Sequence, residues 1–296
     1  MKKFLLFFFL HFSVFLAGQT KFQVVDVTTL QPLPYVLVYN ERVMLHSDDA
    51  GFFVLPKEGL GGAFNFEALG YEKHRLSSLE NTKTIYLQAS VQYLPEMVIK
   101  PRYRTLFIIQ DKFVKQEASY SFGVGSVHGK AWLKAKYFKY LPEIHSKTGY
   151  IKSVKILTRS ALRGATFNIR FYAATKYGEI GDLLYDKPLL GVSKKGVKTT
   201  VIDTDQLDIS FPETGLFVVF EWLLLEKNKV YEVNEKQPER NFYYQPFLMS
   251  AQTDKSRYAW NKYPDADWSR DGSLNSFKMS QNVVFPMYLI SLELSN

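Results

Sequence analysis

Residues 46–56 read HSDDAGFFVLP, and the reading of this stretch decides the fold. Two adjacent carboxylates, Asp48 and Asp49, precede a glycine and an apolar run. A calcium loop needs more oxygen ligands at alternating positions than the stretch offers. A general acid–base pair needs a pocket, and no neighbouring residues suggest one. A turn needs only what is present. Ser47 and Asp48 can bond local backbone groups, and Gly51 can take a positive φ, closing a hairpin between strands at 42–46 and 52–55.

Working outward, residues 22–27, 35–39, 63–68, 72–76 and 83–87 read as further strands, rich in Val, Ile, Phe and Tyr and separated by turn residues. Pro32 and Pro34 keep the first connection out of a central strand. Seven short strands so closely spaced predict a small antiparallel β-sandwich.

Several of these residues carry a resemblance. The Gln31-Pro32-Leu33-Pro34 loop, Val36-Leu37-Val38, Asp48-Asp49-Ala50-Gly51-Phe52-Phe53, Gly70-Tyr71 and Ile85-Tyr86-Leu87 occur in the order seen in the carboxypeptidase regulatory-like domain. That domain is a transthyretin-like sandwich common in envelope proteins of Bacteroidetes. Tyr35 stands where the family has a glycine after the second proline. The resemblance covers about residues 21–98. It implies a non-catalytic spacer or interaction module in a domain spanning 19–98. Leu94-Pro95-Glu96-Met97-Val98-Ile99 resembles the segment that ends such domains and leads, in TonB-dependent receptors, into a plug and barrel. The 197 residues after Ile99 lack both, so an edge strand running into a linker is expected there.

The N-terminus points to export. Lys2 and Lys3 precede a mostly apolar run from Phe4 to Leu16, and Ala17-Gly18 supplies small residues, so residues 1–18 read as a signal peptide. No later run is long and apolar enough for a transmembrane helix. The chain has no cysteine, which excludes disulfides, thiolate metal sites and cysteine nucleophiles. The charge is +8, and loss of Lys2 and Lys3 leaves 35 basic against 29 acidic residues. The basic residues are scattered, so a nucleic-acid partner is not expected, and an envelope protein or polysaccharide is.

Residues 99–129 change character and are read as a linker. Gly123-x-Gly125 lacks the third glycine and strand–helix context of a dinucleotide fingerprint and is assigned to a strand or turn. Strand patterns return from Ala131. Residues 150–157, 165–172, 197–202, 242–249, 257–260 and 285–292 are candidates, and 215–222, GLFVVFEW, is apolar enough to be central. No segment carries a long helical period. The expectation is an all-β chain whose second domain, 130–296, is a larger, jelly-roll-like sandwich. Runs such as Phe167-Asn168-Ile169-Arg170-Phe171-Tyr172 are similar to the C-terminal halves of other exported Bacteroidetes proteins. At the level of fold they resemble carbohydrate-binding sandwiches.

Two clusters could bind something. Tyr258, Trp260, Tyr263 and Trp268 lie close together among acids and amides, as sugar recognition requires, although a core role accounts for them too. Asp265, Asp267 and Asp271 could supply oxygens to calcium. Ser276 stands where an EF-hand needs its bidentate glutamate, so a solvated loop is the plainer reading. Asp203, Asp205 and Asp208 read the same way. The histidines lack metal-ligand spacing, Glu143-Ile144-His145 stands in isolation, and no Gly-x-Ser-x-Gly elbow exists. The expected function is non-catalytic: envelope binding or structural interaction. Carbohydrate binding is the alternative, and a hydrolase built from distant loops comes third.

Overall fold

The computed structural model describes residues 19–56, 60–90, 105–125, 133–231, 242–253, 259–272 and 285–296. The signal-peptide segment, the 94–99 segment and Tyr258 lie outside the described residues. The chain divides into two compact units at Gln92/Tyr93. Among the described residues no helix is long and apolar enough to cross a membrane.

The first unit has seven strands: β1 (Gln19–Asp26), β2 (Leu37–Tyr39), β3 (Met44–His46), β4 (Phe52–Pro56), β5 (Phe64–Glu67), β6 (His74–Leu76) and β7 (Thr84–Leu87). They form two sheets, ordered β4-β1-β7 and β3-β2-β5-β6. One expectation needs correcting. The sandwich is not wholly antiparallel, because β1 and β7 pair in parallel, Gln23 opposite Thr84 through Asp26 opposite Leu87. Between the sheets lie Phe22, Val24, Val36, Phe53, Phe64, Phe66, Ile85 and Leu87. They alternate along each strand, so each inward residue is followed by one on the other face.

The two aspartates are a turn. Asp48 Oδ1 accepts from Ala50 N–H at 3.0 Å and Phe52 N–H at 2.8 Å. Gly51 has φ +75°, and a Cβ there would lie 2.7 Å from the Val24 carbonyl oxygen. Only glycine suits both the conformation and the close approach.

The second unit adds β8 (Phe107–Gln110), β9 (Tyr120–Gly125), β10 (Leu133–Phe138), β11 (Tyr150–Ser160), β12 (Thr166–Ala174), β13 (Ile180–Leu183), β14 (Leu189–Val192), β15 (Gly196–Asp203), β16 (Leu216–Trp222), β17 (Lys229–Tyr231), β18 (Phe242–Thr253), β19 (Ala259–Lys262), β20 (Ser269–Arg270), β21 (Phe285–Tyr288) and β22 (Ile290–Ser295). A single helical turn, α1 (Pro142–His145), follows β10. One sheet has seven strands, in the order β13-β12-β16-β10-β19-β20 with β14 also on β12. The other has eight, built on β17-β18-β11-β22-β8 with β15, β21 and β9. The chain changes sheet from β10 to β11 to β12, again at β15, β16 and β17, and again at β19 and β21, the alternation of a jelly roll.

The linker assignment fails over its described part. β8 pairs with β22, Phe107 opposite Ser295, and β9 pairs with β18. Phe113 and Ala118, between them, pack on Leu157, Met249, Ala251 and Leu289. Both glycines of Gly123-x-Gly125 lie in β9, where a Cβ would meet the rings of Phe247 and Tyr243 at 2.0 and 2.9 Å.

Candidate functional site

Antiparallel partners opposite one another share a face. In the seven-stranded sheet, Ala135 lies opposite both Val219 and Trp260, and Val219 lies opposite Arg170. Glu221 lies opposite Leu133 and Asn168. The opposite face carries Trp222, whose indole N–H donates to the Pro246 carbonyl of β18 at 2.7 Å, so that face is turned to the other sheet. Arg170, Glu221, Asn168, Trp260, Phe217 and Tyr172 therefore belong to the outer face.

That face is held by a buried ion pair. Arg170 Nε donates to Glu221 Oε2 at 2.8 Å, and Arg170 Nη2 donates to Glu221 Oε1. Asn168 Nδ2 donates to Glu221 Oε2 at 2.7 Å, and its own carbonyl accepts from Leu189 N–H at 2.7 Å. Glu221 holds the Arg170 guanidinium well above its ordinary pKa in spite of the burial that opposes its charge. Such a bidentate, hydrogen-bonded pair is how a charge tolerates burial.

Among the described residues no two of the expected aromatic cluster are in ring contact; Trp260 and Trp268 pack on different partners. Trp260 is 6% exposed, packs edge-on to Phe217 at 5.7 Å and lies under the Arg270 guanidinium at 5.5 Å. It offers no open platform, and its buried N–H has no hydrogen-bond partner among the described residues. Trp268 is half-buried and packs edge-on to Tyr172 of β12 at 6.3 Å. In the sheet order, β12 and β20 are four strand spacings apart, about 19 Å in a flat sheet. The contact thus spans the outer face and helps to cover the fully buried strip at Ala135, Val219 and Phe217. Tyr263 is exposed.

The three aspartates do not assemble into a metal site: among the described residues no group of three or more His, Asp or Glu is placed to hold an ion. Asp265 and Asp267 are exposed. Asp271 turns the other way, onto the inward side of the sheet, and is fully engaged. Its Oδ2 takes Lys134 Nζ at 2.7 Å and the Tyr288 hydroxyl, and its Oδ1 accepts from Asn261 Nδ2 at 3.1 Å. Lys134 Nζ lies 4.9 Å from the Phe122 ring centre and 6.0 Å from that of Tyr288. Burial pulls the Lys134 pKa down against the pull of Asp271, and burial and then the Asp271 charge push Tyr288 well up. On the same side, Lys136 is 2% exposed and donates to the Ile290 carbonyl at 2.7 Å. Its second partner is Asp111, at 3.1 Å.

The eight-stranded sheet presents a different surface. β8 pairs with β22 and β15 pairs with β11, and among the described residues neither has a further strand partner. Ile109 lies opposite Glu293, Glu293 opposite Ser153, and Ser153 opposite Asp203. One row over, Ser291, Lys155 and Val201 align. Glu293 bonds both Lys152 and Lys155 at 3.2 Å, and these ammonium groups hold its carboxyl below the usual range although burial acts the other way. Around this ion cluster Val201 is 58% exposed, Phe107 46% and Ile109 42%. The result is an apolar patch with a charged centre across four strands, bounded by two open edges. No motif marks it in the sequence; the available signal was Phe107-Ile108-Ile109, an apolar run inside a segment taken for a linker.

No protein-family model matches the chain, and no curated protein matches it in sequence.

Proposed function

We propose that this is a non-catalytic binding protein of a cell envelope. Its first unit serves as a transthyretin-like spacer, and its second binds a partner protein on the outer face of the eight-stranded sheet. One observation carries the reading: Val201, Phe107 and Ile109 are exposed around Glu293 on a face flanked by two strand edges that have no partner among the described residues. Exposed apolar patches mark interaction sites, and open edges can add a partner's strand. The acids singled out in the sequence support binding over catalysis. Asp48 is spent on a turn, and Asp271 is engaged by Lys134, Tyr288 and Asn261. The same holds for Glu221, which is bound by Arg170 and Asn168. The test is the double variant Val201→Lys/Ile109→Lys. Partner binding in envelope extracts should fall at least about tenfold, a loss of about 1.4 kcal/mol, with the melting temperature unchanged. Undiminished binding by the folded variant rejects the surface.

A polysaccharide partner is the second reading, favoured by Tyr263 and Arg270, exposed residues of the same β19–β20 hairpin as half-buried Trp268. A glycan array with and without chelator tests it. Saturable binding lost in Trp268→Ala would place the ligand on the seven-stranded sheet instead.

A further inference from the structure

We propose that Lys134 and Asp271 are the reactants of an intramolecular amide bond, a covalent staple across the second unit.

The geometry supplies each requirement. The Lys134 nitrogen is held 2.7 Å from Asp271 Oδ2, with side-chain exposures of 9% and 13%. The rings of Phe122 and Tyr288 meet edge to face at 5.6 Å and flank the amine, keeping water from the pair. Asp271 is fixed from three sides. Its N–H donates to the Ala259 carbonyl at 2.8 Å, Asn261 Nδ2 holds Oδ1, and the Tyr288 hydroxyl holds Oδ2. Ser269 Oγ donates to the Asn261 carbonyl oxygen at 3.1 Å, which orients that amide. The two carboxylate oxygens therefore have different neighbours. Oδ1 faces a donor that can stabilise an oxyanion, and Oδ2 faces a hydroxyl that can relay a proton.

The step balances without an added reagent. A proton moves from the ammonium to the carboxylate, leaving –NH2 and –COOH. The nitrogen lone pair attacks Asp271 Cγ, and the negative charge develops on Oδ1 beside Asn261 Nδ2. A second proton leaves nitrogen and reaches Oδ2 through the Tyr288 hydroxyl, which ends as it began. The Cγ–Oδ2 bond breaks, water departs, and an amide with one hydrogen on nitrogen remains. No atom is oxidised or reduced. Fixed placement raises the effective concentration of the amine, and a water-poor interior favours a neutral amide over two buried charges. Burial also shifts Lys134 towards the neutral amine that the attack needs. The bond would join positions 137 residues apart, the role a disulfide plays elsewhere, in a chain with no cysteine.

The test is mass spectrometry of the purified full chain, with its N-terminus assigned by peptide mapping. The expected intact mass is lower than that of the sequence by one water, about 18 Da. Trypsin should release a branched peptide joining residues 131–136 to 271–278, uncut after Lys134. Tyr288→Phe should accumulate the unlinked mass. A folded wild-type chain of full mass, with the two peptides separate, overturns the proposal. A branch at Asn261, which would lose ammonia, overturns it too. The result is independent of what the eight-stranded sheet binds.

Discussion

Arg170 grips Glu221 with two guanidinium nitrogens, across neighbouring strands, on the sheet face turned away from the other layer. The carboxylate side chain is 2% exposed, so its charge depends on this partner. Arg170→Ala should destabilise the protein by about 3–5 kcal/mol, because it removes the guanidinium that balances the buried Glu221 charge. Replacing both by apolar residues of similar volume should recover most of that loss. Chemical denaturation of the single and double variants measures the difference.

Asp48 and Asp49 should separate cleanly. Asp48 accepts two backbone N–H groups, and its replacement by Ala should cost about 1–2 kcal/mol. Exposed Asp49 should tolerate Ala within about 0.5 kcal/mol. Equilibrium unfolding with and without calcium should give the same ranking, since the Asp48 carboxylate serves the turn.

Gly191 lies opposite Phe167 in the β12–β14 pair. A Cβ there would sit 2.2 Å from the Phe167 ring, itself stacked on Phe220 at 4.5 Å. Gly191→Ala should therefore cost about 1–3 kcal/mol through overpacking. It should lower the thermal midpoint.

His145 should set a mild acid limit. It is buried, Leu141 N–H donates to its Nδ1 at 2.8 Å, and its Nε2 faces Gln110 Oε1 at 3.1 Å. Burial holds its pKa below the ordinary 6.5, so the folded state binds fewer protons than the unfolded one. The stability it contributes is complete above about 6.5 and lost as pH falls through the lower folded value. Asp26 and Glu293 titrate below 3.8 and 4.5 and act only in stronger acid. Thermal midpoints of wild type and His145→Gln between pH 7.5 and 5 should show a flatter dependence in the variant.

The strands of the first unit are legible in sequence because one face of each is apolar and turn residues punctuate them. The parallel β1–β7 pairing is not, since nothing local records which strand lies beside which. β10 is concealed by its own pattern. In Leu133-Lys134-Ala135-Lys136-Tyr137-Phe138 the lysines suggest a solvent face, yet they point inward, paired with Asp271 and Asp111, and Lys136 also donates to a backbone carbonyl. Arg170 and Glu221 left a trace, each being the one charge in an apolar strand. Their pairing needed the register. Trp260 and Trp268 are close along the chain but pack on different partners, Phe217 and Tyr172. One is nevertheless buried beneath Arg270, while the other reaches across the sheet, because burial is decided by strand order.

The proposed binding surface is tested most directly by a photo-reactive residue placed at Val201 in the expressing cell, with one at exposed Tyr177 as control. A discrete cross-linked partner at Val201, absent at Tyr177, is the predicted result. Equal labelling at both positions, or none at Val201 in folded protein, would contradict the account.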